Sequence, residues 1–96
     1  MSNLVKPINN FASALKVIRK SKGLSQEDFS ISSSRTYVSS LERNLKSPTL
    51  SKVDDLAEVL GVHPLTLLAM SYLRTTEATY VNKVLTQVLD EISALN

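Results

Sequence analysis

The stretch from Leu24 to Pro48, LSQEDFSISSSRTYVSSLERNLKSP, limits the possible folds more than any other part of this chain. It holds two short helix signals separated by a serine-rich turn. Ser25 followed three positions later by Asp28 reads as a capping box, and Gly23 just upstream suits the end of a preceding helix. Ser34 can cap the next helix, which is expected from about Arg35 to Arg43. On that helix Val38 and Leu41 share one face with Tyr37 at its edge, whereas Thr36, Ser39, Ser40 and Arg43 share the other. A solvated helix face usually carries long side chains of mixed charge, such as Glu and Lys. Small hydroxyls flanked by arginines suit a close approach to the floor of a groove.

The rest of the chain is punctuated in the same way. Residues 1–8 read as a short arm, in which Pro7 discourages an early helix. Asn9 or Asn10 can cap a first helix, with Phe11, Leu15 and Ile18 at helical spacing as far as Lys22. A brief second helix is expected from about Gln26 to Ile31 with Phe29 inward. Asn44 suits a left-handed cap at the end of the third. Thr49 caps a fourth, where Leu50, Val53, Leu56, Ala57 and Leu60 form one stripe and Gly61 marks the stop. His63 and Pro64 fit the N-cap and first helical position of a fifth, expected through about Leu73. The apolar period is helical throughout, so the fold is expected to be all-α, with a five-helix domain over residues 9–74 and a further helix within 75–96.

That last helix, expected from about Glu77 to Leu95, carries a second pattern. Ala78, Val81, Leu85, Val88, Ile92 and Leu95 recur at intervals of 3, 4, 3, 4 and 3, a heptad seam that Val84 and Leu89 widen. It could fold back on the chain's own core or pair with a second copy. The five preceding helices already make a closed unit, which favours a homodimer built on Val81, Leu85, Val88, Ile92 and Leu95.

Charge is distributed unevenly. Residues 1–52 carry nine Lys/Arg against three Asp/Glu, a net +6, and residues 53–96 carry two against six, a net −4. Short of a chance scatter of surface charge, a polyanion is drawn to the first half and repelled by the second. The absence of cysteine excludes disulfides and thiolate zinc sites. No apolar run approaches the ~20 residues that span a bilayer, and no signal-peptide pattern is present, so a cytoplasmic protein with no membrane partner is expected. No Ser-His-Asp or paired-carboxylate constellation can be assembled, and lone His63 reads as a cap rather than a ligand or base. We expect no enzyme, cofactor, metal or small-molecule effector.

With the helices placed, residues 11–68 resemble the Cro/repressor-like helix-turn-helix family, a five-helix DNA-binding fold. The matching stretches are GLSQEDF (Gly23–Phe29), RTYVSSLERN (Arg35–Asn44), SPTL (Ser47–Leu50) and LAEVLGV (Leu56–Val62). The third helix looks especially like that of restriction–modification controller proteins, and phage-type repressors are also similar. One departure stands out: seven residues separate Phe29 from Tyr37, two fewer than is usual in the family, and the glycine usual in the turn is absent. The second helix is therefore expected to be shorter, or the turn tighter.

The resemblance implies roles for matching positions on double-stranded DNA. Arg35, Thr36, Ser39 and Ser40 would face base edges in the major groove, where Arg can bridge two guanine acceptors and a Thr methyl can touch thymine. Gln26, Tyr37, Arg43, Asn44 and Lys46 would contact the sugar-phosphate backbone. Arg19 and Glu42 would form an ion pair tying the first helix to the third. Plainer readings stand beside these: Arg43 and Lys46 as solvated charges, Tyr37 as a packing residue, Glu42 as an exposed helix charge. The function implied is a dimeric, sequence-specific transcriptional regulator. An antitoxin-type autorepressor that also binds a toxin, and a helical interaction module without DNA, are the alternatives. The polar third helix argues against the last of these, since a protein-docking face is richer in Leu, Met and aromatics. RNA is disfavoured because no aromatic stacking platform is evident.

Overall fold

The computed structural model describes residues 9–30 and 34–96, so the expected arm at 1–8 and the segment 31–33 lie outside the described residues. The elements are α1 (Phe11–Ser21), a 3-10 turn (Gln26–Phe29), α2 (Arg35–Glu42), α3 (Leu50–Leu60), α4 (Pro64–Tyr72) and α5 (Ala78–Ala94), with no strand among the described residues. The first five form the helix-turn-helix unit anticipated for an all-α chain, and α5 is the additional C-terminal helix.

Each boundary has a local cause. Asn9 Oδ1 accepts the Phe11 N–H at 3.0 Å, and the Asn10 N–H donates to the Ser71 carbonyl at 2.7 Å, tying the start of α1 to the end of α4. Gly23, at φ 70°, turns the chain after α1 and lets the Leu24 N–H reach back to the Arg19 carbonyl at 3.1 Å. The hydroxyls of Ser34 and Thr49 accept the N–H groups of Tyr37 and Lys52 at 3.0 and 3.2 Å, satisfying donors left open at the starts of α2 and α3. His63 Nδ1 does the same for Leu65 at 3.0 Å, ahead of Pro64. Asn44 takes the left-handed conformation at φ 60° that closes α2.

The core is a cluster in which Leu15, Phe29, Val38, Leu41, Leu56 and Leu67 have no exposed surface. It draws on α1, the 3-10 turn and α2 to α4, and fully burying each large side chain contributes about 1.5–3 kcal/mol. α1 lies across α2 and α4, and α3 packs on α4 and the 3-10 turn.

Two expectations are corrected here. The second helix is a single 3-10 turn: the Asp28 and Ser30 N–H groups donate to the Ser25 and Glu27 carbonyls, three residues back. Phe29 must enter the core within one turn of the Ser25 cap, and the steeper rise of a 3-10 helix covers that distance in fewer residues. Leu50 does not share the buried stripe of α3 but is 74% exposed. It is the first residue of the helix and lines an open surface pocket with Phe11, Pro48, Val53 and Tyr72 rather than entering the closed core.

α5 contributes nothing to this core. None of its 17 residues is buried, and Leu89 and Ile92 are 61% and 57% exposed. Between α4 and α5 lies an open apolar groove of about 500 Å³, lined by Leu65, Leu68, Tyr72, Tyr80, Val84, Leu85 and Val88 among others. The helix thus lies beside α4 with Tyr80, Val81 and Val84 half-buried, and adds no fully buried side chain to the core.

Candidate nucleic-acid interface

α2 is a short helix, and three features hold it in place. Val38 and Leu41 on its inner face are fully buried. Ser34 caps its start. At its end, Glu42 is gripped by α1: Arg19 Nε donates to Oε2 at 2.6 Å and Nη2 to Oε1 at 2.9 Å, while Arg19 Nη1 donates to the Leu24 carbonyl at 2.8 Å. The two side chains are 11% and 3% exposed, so the Glu42 carboxylate is almost wholly out of water. Burial pushes the Glu42 carboxyl up, but the hydrogen bonds from Arg19 and Gln26, with the charges of Arg19 and Lys16, outweigh it and hold the group below the usual carboxylate range. The same hydrogen bond, working against burial, raises the Arg19 guanidinium further above its ordinary value. Arg19 therefore joins α1, the Leu24 loop and α2 through one planar, bidentate fork.

The outer face of α2 presents most of the expected residues together. Arg35 and Thr36 are exposed in the first turn, and Ser39 is half-buried one turn on. Arg43 is exposed at the end of the helix, with its Nε donating to the Ser39 carbonyl at 3.4 Å, a placement that suits a helix C-terminus. Asn44 and Lys46 follow, both exposed. Tyr37 is half-buried and packs against the core, while its ring lies 5.8 Å from Lys46 Nζ and 5.7 Å from Lys52 Nζ. It is thus both a packing residue and the centre of a small cationic cluster.

Two expected contacts are placed differently. Ser40 does not join the outward face: it is 7% exposed, and its hydroxyl donates to the Thr36 carbonyl at 2.9 Å. On the helical wheel it adjoins the half-buried Tyr37, at the edge of the inner arc, where an unpaired hydroxyl would be costly. Gln26 is half-buried, and its Nε2 donates to Glu42 Oε1 at 3.1 Å, so part of its donor capacity serves the ion pair.

Sequence reasoning did not single out Lys52 or Glu27. Lys52 lies on α3 and reaches Tyr37 only through the packing of the two elements, for which no local pattern exists. Glu27, in the 3-10 turn, lies against Arg35, with Oε1 3.3 Å from Nη1. Among the described residues no cluster of His, Cys, Asp or Glu could hold a metal, and no helix is long and apolar enough to cross a membrane.

Residues 15–67 match the model of a family described as helix-turn-helix. Over 47 residues the chain is 45% identical to an uncharacterised HTH-type transcriptional regulator of Sinorhizobium fredii, covering 47% of this chain and 61% of that protein. It thus spans about three-fifths of that relative's length. The fold is similar to the crystal structure of the hypothetical transcription factor NHTF from Neisseria, with a TM-score of 0.58 and 34% identity over 66% of this chain and 75% of that one.

Proposed function

Because the chain belongs to the helix-turn-helix family, we propose that it is a transcriptional regulator that inserts α2 into the major groove of double-stranded DNA as a homodimer on a palindromic operator. The observation that carries this reading is the outer face of α2. Arg35, Thr36, Ser39 and Arg43 stand on a helix whose opposite face is locked by Val38, Leu41 and the Arg19–Glu42 fork. Reading base edges requires side chains held in register by a rigid support, and this support is buried and fully paired.

In this reading Arg35 and Thr36, in the first turn, meet base edges, with Ser39 beside them. Tyr37, Arg43, Asn44 and Lys46 sit at the groove edge and contact phosphates, and Gln26 offers its remaining amide N–H to a phosphate across the turn. No step of this activity needs a cofactor or catalysis. One such helix covers only a few base pairs, so discrimination calls for two, presented about 34 Å apart by a two-fold dimer. The exposed Leu85, Val88, Ile92 and Leu95 of α5, with the half-buried Val81, supply the apolar surface for that pairing, and Asp90 and Glu91 give it an acidic flank that is better kept away from DNA.

The test is to select random genomic fragments with the protein, sequence them, and titrate the recovered sites at several salt concentrations. A shared palindromic motif is expected, with a log–log salt slope of about −0.9 for each phosphate neutralised. Equal affinity for all duplexes would remove sequence specificity from the reading, and no binding at low salt would remove DNA itself.

A further inference from the structure

The acidic residues of the basic half are few, and their commitments differ. Residues 1–52 hold Glu27, Asp28 and Glu42. Glu42 is enclosed by Arg19 and Gln26. The Asp28 carboxylate accepts the Ser25 N–H at 2.6 Å and closes the start of the 3-10 turn. Glu27 alone is left outside the scaffold, and it stands against Arg35 with the two side chains 71% and 68% exposed. An ion pair so open to water adds little to stability. It joins the 3-10 turn to the first turn of α2, next to Thr36 and at the point where side chains of this helix would reach deepest into a groove.

The chemistry of the pair suggests what it does. A guanidinium offers two edges that can bridge a pair of acceptors, and a long, exposed Arg side chain samples many orientations. A carboxylate at Nη1 removes much of that freedom while leaving the Nε–Nη2 edge to span the O6 and N7 of guanine. The same carboxylate is a negative charge facing a polyanion, so it lowers affinity for every duplex alike.

We propose that Glu27 is a specificity-determining positioning residue: its carboxylate fixes the Arg35 guanidinium in one orientation for a single guanine, at the expense of general affinity. This rests on α2 being the DNA-reading helix. Loss of Glu27 therefore has opposite effects on two quantities that a purely structural residue would move together.

The experiment uses the full chain and the operator recovered from genomic fragments, with all single-base variants of that operator and an unrelated duplex. E27Q should melt at the wild-type temperature and bind the unrelated duplex more tightly. Its operator-to-unrelated affinity ratio should fall about two- to fivefold, the range an exposed ion pair can contribute. The lost preference should fall at the same base position that R35K flattens, and the double variant should discriminate no worse than R35K alone. An unchanged ratio overturns the proposal. So does flattening at a different position, which would mean that Glu27 contacts a base itself, as a carboxylate can at cytosine N4. If wild type prefers an operator and R35K leaves that preference intact, the positioning role falls while the regulator reading stands. If wild type shows no preference at all, both fall together.

Discussion

Arg35 and Lys46 lie at opposite ends of the α2 face, and their positions set different duties. Arg35 is in the first turn; Lys46 lies past the left-handed Asn44, where the chain has already left the helix. Arg35→Ala should cost roughly 1–3 kcal/mol at one base position and reorder the ranking of operator variants. Lys46→Ala should weaken all duplexes about equally and make the log–log salt slope shallower by about 1, as titrations at several salt concentrations would show. Ser40 gives a contrasting expectation. Its hydroxyl is turned inward to the Thr36 carbonyl, so Ser40→Ala should leave the ranking of operator variants unchanged. A changed ranking would place that hydroxyl in the groove after all. The sequence pattern could not anticipate this, because Ser40 falls at the border of the polar and apolar arcs of a short helix. Which side of the border it takes is set by tertiary packing, which no local pattern records.

The elements themselves were largely legible because their ends are chemical and local. Ser34, Thr49 and His63 act on N–H groups two or three residues away, and Gly61 and Asn44 adopt backbone angles that few other residues accept. The shortness of the second helix was legible in the two residues missing before Tyr37, but its 3-10 character was not, since its spacing differs from an α-helical turn by one residue in the hydrogen-bond register. The Arg19–Glu42 fork joins elements 23 positions apart and came from family resemblance, since spacing alone cannot link them. Its energetics are testable. Removing one partner strands a nearly water-free charge, so Glu42→Ala should destabilise by about 3–5 kcal/mol. A double-mutant cycle with Arg19→Ala should show strong coupling, and negligible coupling would mean the fork does not hold α1 to α2. Because the folded Glu42 carboxyl is depressed, its contribution is fully present above its unfolded value of about 4.3 and is lost as pH falls through the lower folded value. The gap in melting temperature between wild type and Glu42→Gln should therefore be widest near neutrality and close in strong acid.

The described residues together measure 41 × 27 × 26 Å. Its helix-turn-helix unit accounts for every buried apolar side chain among the described residues, and α5 for none. The heptad spacing of α5 was plain in the sequence, whereas the groove it shares with α4 was not, because Leu65, Leu68 and Tyr72 belong to an element with little amphipathic contrast. Replacing Leu85 and Ile92 with Asp should convert a sedimenting dimer into a folded monomer with weakened operator binding. A folded variant that still sediments as a dimer would assign pairing to another surface, with α4 the first candidate.

The unburied α5 also bears on how such a regulator would respond to its own abundance. If α5 pairs two copies as proposed above, two chains must meet before two reading helices can act together. While most of the protein is monomeric, dimer concentration rises with the square of the total. Doubling the supply then raises operator occupancy nearly fourfold at the low end, and halving it removes most of that occupancy. A threshold in gene dosage, usually built from several bound molecules, would here come from one exposed stripe of Val, Leu and Ile.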